Sequence, residues 1–149
     1  MFNYLSNHQK IYNILLSHSK DLITKLHFEE IPFSLVCRTK MLNFDPSLSS
    51  ELKAQIGEIA CFILSGYSLQ SLEIFEQNLV FEAGLTLKNG QDVGTIITVP
   101  YGAIMQILFQ DEEMQQASPI FVNPFENMDE DNFNNSLNAI LSKNLDLVD

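Results

Sequence analysis

The chain has 149 residues, 46% of them hydrophobic, with a mean hydropathy of +0.04. That is long enough for one domain with its own core plus appendages, and too apolar for a disordered chain. A formal charge of −11, from 8 basic and 19 acidic side chains, repels phosphate backbones and argues against nucleic acid as a partner.

The periodicity predicts a first helix from about Ser6 to Leu26, with Ser6 or Asn7 placed to cap it. Ile11, Ile14, Leu15, His18, Leu22 and Leu26 fall on one stripe, and Tyr12, Leu16 and Ile23 form a second apolar face. One face can cover the domain's own core. The second suits either a second copy of the chain, with Tyr12, Leu16 and Ile23 as dimer interface, or a wider seat within the same chain.

Glu30-Ile31-Pro32 ends the helical region, because the residue before proline is pushed toward extended backbone. Phe33 to Arg38 reads as the first strand. Asn43 to Gln55 is a polar loop, with a turn at Asp45-Pro46 and a helical turn near Ser50–Ala54. Ile56 to Leu64 is the second strand, and Ser65-Gly66 breaks it. Leu69 to Phe75 and Leu79 to Leu87 supply strands three and four across a Gln77-Asn78 turn. Lys88-Asn89-Gly90-Gln91 is the clearest hairpin signal, since Asn-Gly accepts the positive φ of a tight turn, and Val93 to Val99 follows as strand five.

Beyond Pro100, Ala103, Ile104, Ile107 and Leu108 recur at helical spacing and predict a short covering helix. Pro119 to Phe125 is a last extended piece. The final 24 residues, from Glu126, hold six acidic side chains and one lysine, with a weak amphipathic pattern at Phe133, Leu137, Ile140 and Leu141. The resulting expectation is an α+β fold. An N-terminal helix precedes a five-stranded, strongly bent antiparallel sheet or partial barrel, closed by a short covering helix. Three regions follow: residues 1–30 (the helix), 31–125 (the sheet domain) and 126–149 (the acidic tail).

Catalytic constellations are hard to assemble from these residues. His8, His18 and His27 stand ten and nine residues apart, not at the i, i+4 spacing of a helical metal site. There is no GxSxG, P-loop or GxGxxG pattern. Glu73, Glu76 and Glu82 read as solvated sheet carboxylates. No enzyme activity, metal or cofactor is expected. Cys37 and Cys61 lack CxxC spacing and read as small buried hydrophobes. The apolar runs are too short for a membrane span, and MFNYLSNHQK does not read as a secretory signal, so a cytoplasmic protein without membrane association is expected.

The order of the pieces resembles a known family. A Pro-led strand (Ile31-Pro32-Phe33-Ser34-Leu35-Val36) follows a helix, and Ser68-Leu69-Gln70-Ser71-Leu72-Glu73-Ile74 and Leu79-Val80-Phe81-Glu82-Ala83 come next. The hairpin then leads into Val99-Pro100-Tyr101-Gly102-Ala103-Ile104, and Phe121 to Glu126 makes a Phe-rich close before an acidic tail. Residues 8 to 126 are in this way similar to the stringent starvation protein B (SspB) family, homodimeric adaptors that deliver ssrA-tagged polypeptides to the ClpXP protease. The resemblance implies an Sm-like sheet and a peptide groove formed by Ser68, Leu69, Phe81, Glu82, Ala83, Gly84 and Leu85. It also implies a C-terminal dock on the ClpX unfoldase, carried here by Leu145, Leu147 and Val148. The other reading that suits a small acidic α/β chain is a secretion-type chaperone holding a disordered segment of its client.

Overall fold

The computed structural model describes residues 2–111, 113 and 116–125, with side chains from Asn7 onward except that of Asp111. A long helix, α1 (Phe2–Phe28), leads into β1 (Phe33–Arg38), a single 3₁₀ turn (Thr39–Met41) and β2 (Asn43–Asp45). Next come α2 (Ser50–Ile56), β3 (Ile59–Leu64), α3 (Gly66–Gln70) and β4 (Glu73–Ile74). β5 (Asn78–Thr86) and β6 (Asp92–Pro100) form the central hairpin, followed by a 3₁₀ turn (Tyr101–Ala103), β7 (Ile104–Asp111) and β8 (Gln116–Val122). The acidic segment 126–149, and with it Leu145, Leu147 and Val148, lies outside the described residues.

The fold is α+β, as expected, but the strands form two antiparallel sheets of four and not one bent sheet of five. One sheet runs β3-β1-β7-β8 and the other β2-β6-β5-β4. The three strands beyond the expected five are β2, in a stretch read as loop, β7, in the stretch read as a helix, and β8, which overlaps the last extended piece; β4 is what remains of the expected third strand. β2 is the three residues that pair Asn43–Asp45 with Ile96–Thr98, and β4 is two residues long. Both sheets bury alternate side chains in one core, which includes Phe33, Leu35, Phe62, Phe81, Ile97 and Ile107. The hairpin is where expected. Gly90 has φ +85°, and the Leu87 N–H closes the turn onto the Gln91 carbonyl at 2.8 Å.

The covering helix after Pro100 is not there; the segment is strand β7. Its helical spacing comes from a bulge. Val36 pairs with Gln106 and Cys37 with Ile104, so Met105 is an extra residue in the ladder. An inserted residue puts Ile104 and Ile107, three apart, on the same inward face, and both are fully buried. A bulged strand thus imitates a helix in its apolar pattern.

α1 takes the wider seat within its own chain: its second face turns inward, together with Leu15, Leu22 and Leu26 of the first stripe. Tyr12 and Ile23 are buried and Leu16 is half-buried against the core, whereas Ile11 and Ile14 are 47% and 64% exposed. The three residues proposed for a dimer contact therefore pack into the chain's own fold. The inward seam is Tyr12, Leu16, Ser19, Ile23 and Leu26, spaced i, i+4, i+7, i+11 and i+14. Its middle member is a serine, which hides the seam from a count of apolar residues. Ser19 is fully buried and its hydroxyl donates to the Leu16 carbonyl at 2.8 Å, so the polar group is satisfied. Tyr12 reaches the turn after β6 so closely that a Cβ on Gly102 would overlap the Tyr12 hydroxyl.

A candidate peptide-binding edge

β5 is paired with β6 along its whole length, from Asn78 opposite Pro100 to Thr86 opposite Asp92. On its other side β4 reaches only Val80 and Leu79. Among the described residues, β5 from Phe81 to Thr86 therefore has a strand on one side only. Backbone groups of alternate residues point to opposite edges of a strand. The Glu82 N–H points away from β6, because it donates to Ser71 Oγ at 2.9 Å. By the same alternation, Gly84 and Thr86 turn their N–H and C=O groups to the open edge.

The two ends of this open stretch are held by short helices. At one end, beside α3, the Tyr67 hydroxyl donates to Glu82 Oε2 at 2.7 Å, and Ser71 Oγ in turn donates to the Ser68 carbonyl at 2.8 Å. The hydrogen bond to Glu82, with its negative charge, pushes the Tyr67 phenol pKa up, so the phenol keeps its proton and its role as donor. At the other end, α2 supplies Gln55, whose amide donates to the Thr86 carbonyl at 3.2 Å, and Glu51, which accepts from the Lys88 N–H at 3.0 Å. α2 itself begins on Ser49, whose hydroxyl accepts from the Leu52 N–H. Between these ties Gly84 is exposed, with no side chain of its own to cover the edge.

β3 is an edge strand, paired among the described residues only with β1. Its inward Phe62 meets Phe81 of β5 edge-on, with ring centroids 5.5 Å apart. Its other face is apolar and open: Ile59 and Ile63 are 56% and 61% exposed, and Cys61 between them is exposed too. Cys61 is thus not the buried residue expected. Cys37 is buried, and burial, with Cys61 nearby, pushes its thiol pKa up to about 12. Edge strand β3 and the partly open strand β5 therefore share one aromatic contact, with an apolar outer face on β3 and open backbone groups at Gly84 on β5.

The seven residues expected to form a groove separate into distinct roles. Leu69 and Phe81 are core, and Ala83 and Leu85 are half-buried on the same inward face of β5 as Phe81. Ser68 is occupied by its own helix, its Oγ accepting the Ser65 N–H at 3.0 Å. Glu82 and Gly84 are on the outward face, and they alone of the seven stand beside the open edge. Sequence reading missed Tyr67, Ser71, Gln55 and Thr86. Tyr67 carried a signal, as an aromatic directly after the Ser65-Gly66 break and outside any apolar pattern; the other three carried none.

Among the described residues no group of three or more His, Cys, Asp or Glu is placed to hold a metal ion. His18 stacks on Phe121 at 5.9 Å and His8 lies edge-on to Phe125 at 5.9 Å, so both imidazoles are packing groups. No helix among the described residues is long and apolar enough to cross a membrane. Compared with family models, curated proteins and solved structures, the chain matches none.

Proposed function

We propose that this chain is a peptide-binding adaptor of the SspB kind, which takes an extended segment against the open edge of β5 and delivers the attached polypeptide to the ClpXP protease. One observation carries the proposal: six consecutive residues of a central-sheet strand, Phe81 to Thr86, lack a second partner strand among the described residues, while helices brace both ends. A strand edge left open in this way gains main-chain hydrogen bonds from an added strand, and the side chains beside it supply selectivity. Natural proteins usually block such edges, so one that is braced at both ends and left open between reads as a site.

On this reading the two four-stranded sheets correspond to the two arms of the family's strongly bent sheet, and the adaptor works as a homodimer in the cytoplasm. The exposed Ile11–Ile14 face of α1, and not Tyr12, Leu16 and Ile23, is the surface a second copy would cover. Leu145, Leu147 and Val148 would serve as the protease dock.

The test is fluorescence anisotropy of a labelled ssrA-type peptide, together with ClpXP degradation of a tagged reporter. The adaptor reading expects saturable binding and faster degradation, and expects removal of residues 126–149 to abolish delivery while sparing peptide affinity. Absence of binding at high micromolar protein would sink the tag-binding role. Binding with no acceleration of degradation would favour a chaperone that holds its client without a protease.

A further inference from the structure

The open edge of β5 leads onto a bare row of its own sheet. Gly84 of β5 pairs with Gly94 of β6, so at this step of the hairpin neither strand carries a side chain. The chain's own fold requires neither glycine. Both lie outside the positive-φ region, in contrast to Gly57, Gly66 and Gly90. The β5–β6 ladder runs from Asn78–Pro100 to Thr86–Asp92 without a bulge. A Cβ on Gly94 would meet nothing within 4 Å, and one on Gly84 would come no nearer than 3.8 Å to another heavy atom. Glycine inside a strand forgoes side-chain packing and loses more conformational freedom on folding than any other residue. Two of them face to face, with room for side chains, mark a place where something else approaches the backbone closely.

The bare row has walls. Residues two apart along a strand share a face, and so do cross-strand partners. On the outward face Glu82 stands opposite Ile96 on one side of the row, and Thr86 opposite Asp92 on the other. Each wall therefore carries one carboxylate. That of Asp92 leans over the row, with Oδ2 3.9 Å from the place of a Gly84 Cβ. The hydrogen bonds these carboxylates accept come from the neutral hydroxyls of Tyr67 and, at 2.6 Å, Thr86, which do not offset negative charge. The strands of this sheet add Asp45 and Glu73 and hold no lysine or arginine. Ile96, 45% exposed, gives one wall an apolar part.

We propose, resting on the reading that β5 takes an extended segment at this edge, that the bare row is a slot for a basic side chain of that segment. The residue that pairs with Gly84 sets its side chain on the outward face. A lysine or arginine at that position lies flat over Gly84 and Gly94, with its aliphatic stem against Ile96 and its charged head between Glu82 and Asp92. The client class is thus an extended segment with a lysine or arginine at one fixed position. A carboxylate there meets a like charge on both walls, so the slot selects against acidic segments as well as for basic ones.

The experiment is fluorescence anisotropy of the full chain with labelled peptides Ser-Val-Ser-Val-X-Val-Ser-Val-Ser, in which X is Lys, Ala or Glu. The Lys peptide should bind at least about tenfold tighter than the Glu peptide and about threefold tighter than the Ala peptide, and the differences should shrink as salt is raised. Gly94→Val fills the row from β6, a strand that does not form the open edge. It should keep or raise the melting temperature and leave the Ala peptide's affinity unchanged, while abolishing the advantage of Lys over Ala. Asp92→Asn keeps an acceptor for Thr86 and should cut the preference for Lys over Glu by about threefold or more. Glu binding as tightly as Lys would overturn the slot and leave the edge standing, as would a preference for Lys unchanged in both variants. Failure of all three peptides to bind at high micromolar protein would count against the edge itself, and the slot with it.

Discussion

The two halves of β5 share a strand and a core-facing side but differ at the edge. At Leu79 and Val80 the strand is used on both sides, by β6 and by β4. From Phe81 to Thr86 it has, among the described residues, a partner strand on one side only, and the side chains of Ser71 and Gln55 mark the limits of the open stretch. Both halves have a fully buried anchor, Leu79 in the first and Phe81 in the second. What differs is where the backbone finds its hydrogen bonds. An open edge of this kind is a property of the main chain, and the side chains beside it are secondary.

The largest expected effect removes what the halves share. Phe81→Ala leaves a cavity under both and loses the ring contact with Phe62, so it should cost about 3–5 kcal/mol in urea unfolding. A loss under about 1 kcal/mol would mean that Phe81 is not core. The comparison itself is tested by proline at matched positions. Val80 points its N–H toward β4, and Val80→Pro removes a ladder bond, so it should cost about 1–3 kcal/mol or more. Gly84 points its N–H to an open edge, where proline is tolerated. Gly84→Pro should therefore change stability by less than about 1 kcal/mol while weakening peptide binding at least about tenfold. Equal destabilisation by the two prolines would erase the distinction.

A smaller effect concerns the closed half alone. The Tyr101 hydroxyl donates to the Phe75 carbonyl at 2.6 Å and lies 3.2 Å from that of Asn78, which fastens the β4–β5 turn. Burial pushes its pKa up from 10.0 to about 12, so the folded protein holds a proton that the unfolded chain releases. This contribution is complete below pH 10 and is lost as pH rises toward 12. Cys37, raised from 9.0 to about 12, adds a loss that begins near pH 9. Tyr101→Phe should cost about 1 kcal/mol at neutral pH and flatten the alkaline decline above pH 10 in thermal melts. A decline as steep as that of the unaltered protein would assign the alkaline loss elsewhere. Smallest of all, Tyr67→Phe removes an exposed hydrogen bond to Glu82 and should leave stability within about 0.5 kcal/mol. Its effect should appear as a change of a few-fold in peptide affinity.

Much of the fold is legible in the sequence where local chemistry and packing agree. The strand Phe33–Arg38 has the bounds its apolar run predicts, and the Asn89-Gly90 turn places β5 and β6 within a residue or two. Reading fails where a single residue breaks the period. Ser19 interrupts the buried seam of α1, and Met105 adds a residue to β7, so apolar counting left the role of the second helix face open and gave the wrong element after Pro100. α3 was hidden for a related reason: Leu69 and Leu72 are both buried three apart across the helix end, within a run that also suits a strand. The candidate site was legible as a segment, residues 81–85, but not as an edge. Whether a strand is open depends on where its neighbour stops, and nothing in β5 itself records that β4 ends at Ile74.

The central claim is that β5 accepts an added strand at Gly84 and Thr86. Amide hydrogen exchange, measured residue by residue on the full chain with and without an ssrA-type peptide, tests it most directly. The account predicts that the Gly84 and Thr86 amides exchange freely alone and become protected with peptide, while those of Phe81, Ala83 and Leu85, already bonded to β6, change little. Saturable peptide binding that leaves Gly84 and Thr86 unprotected would contradict it.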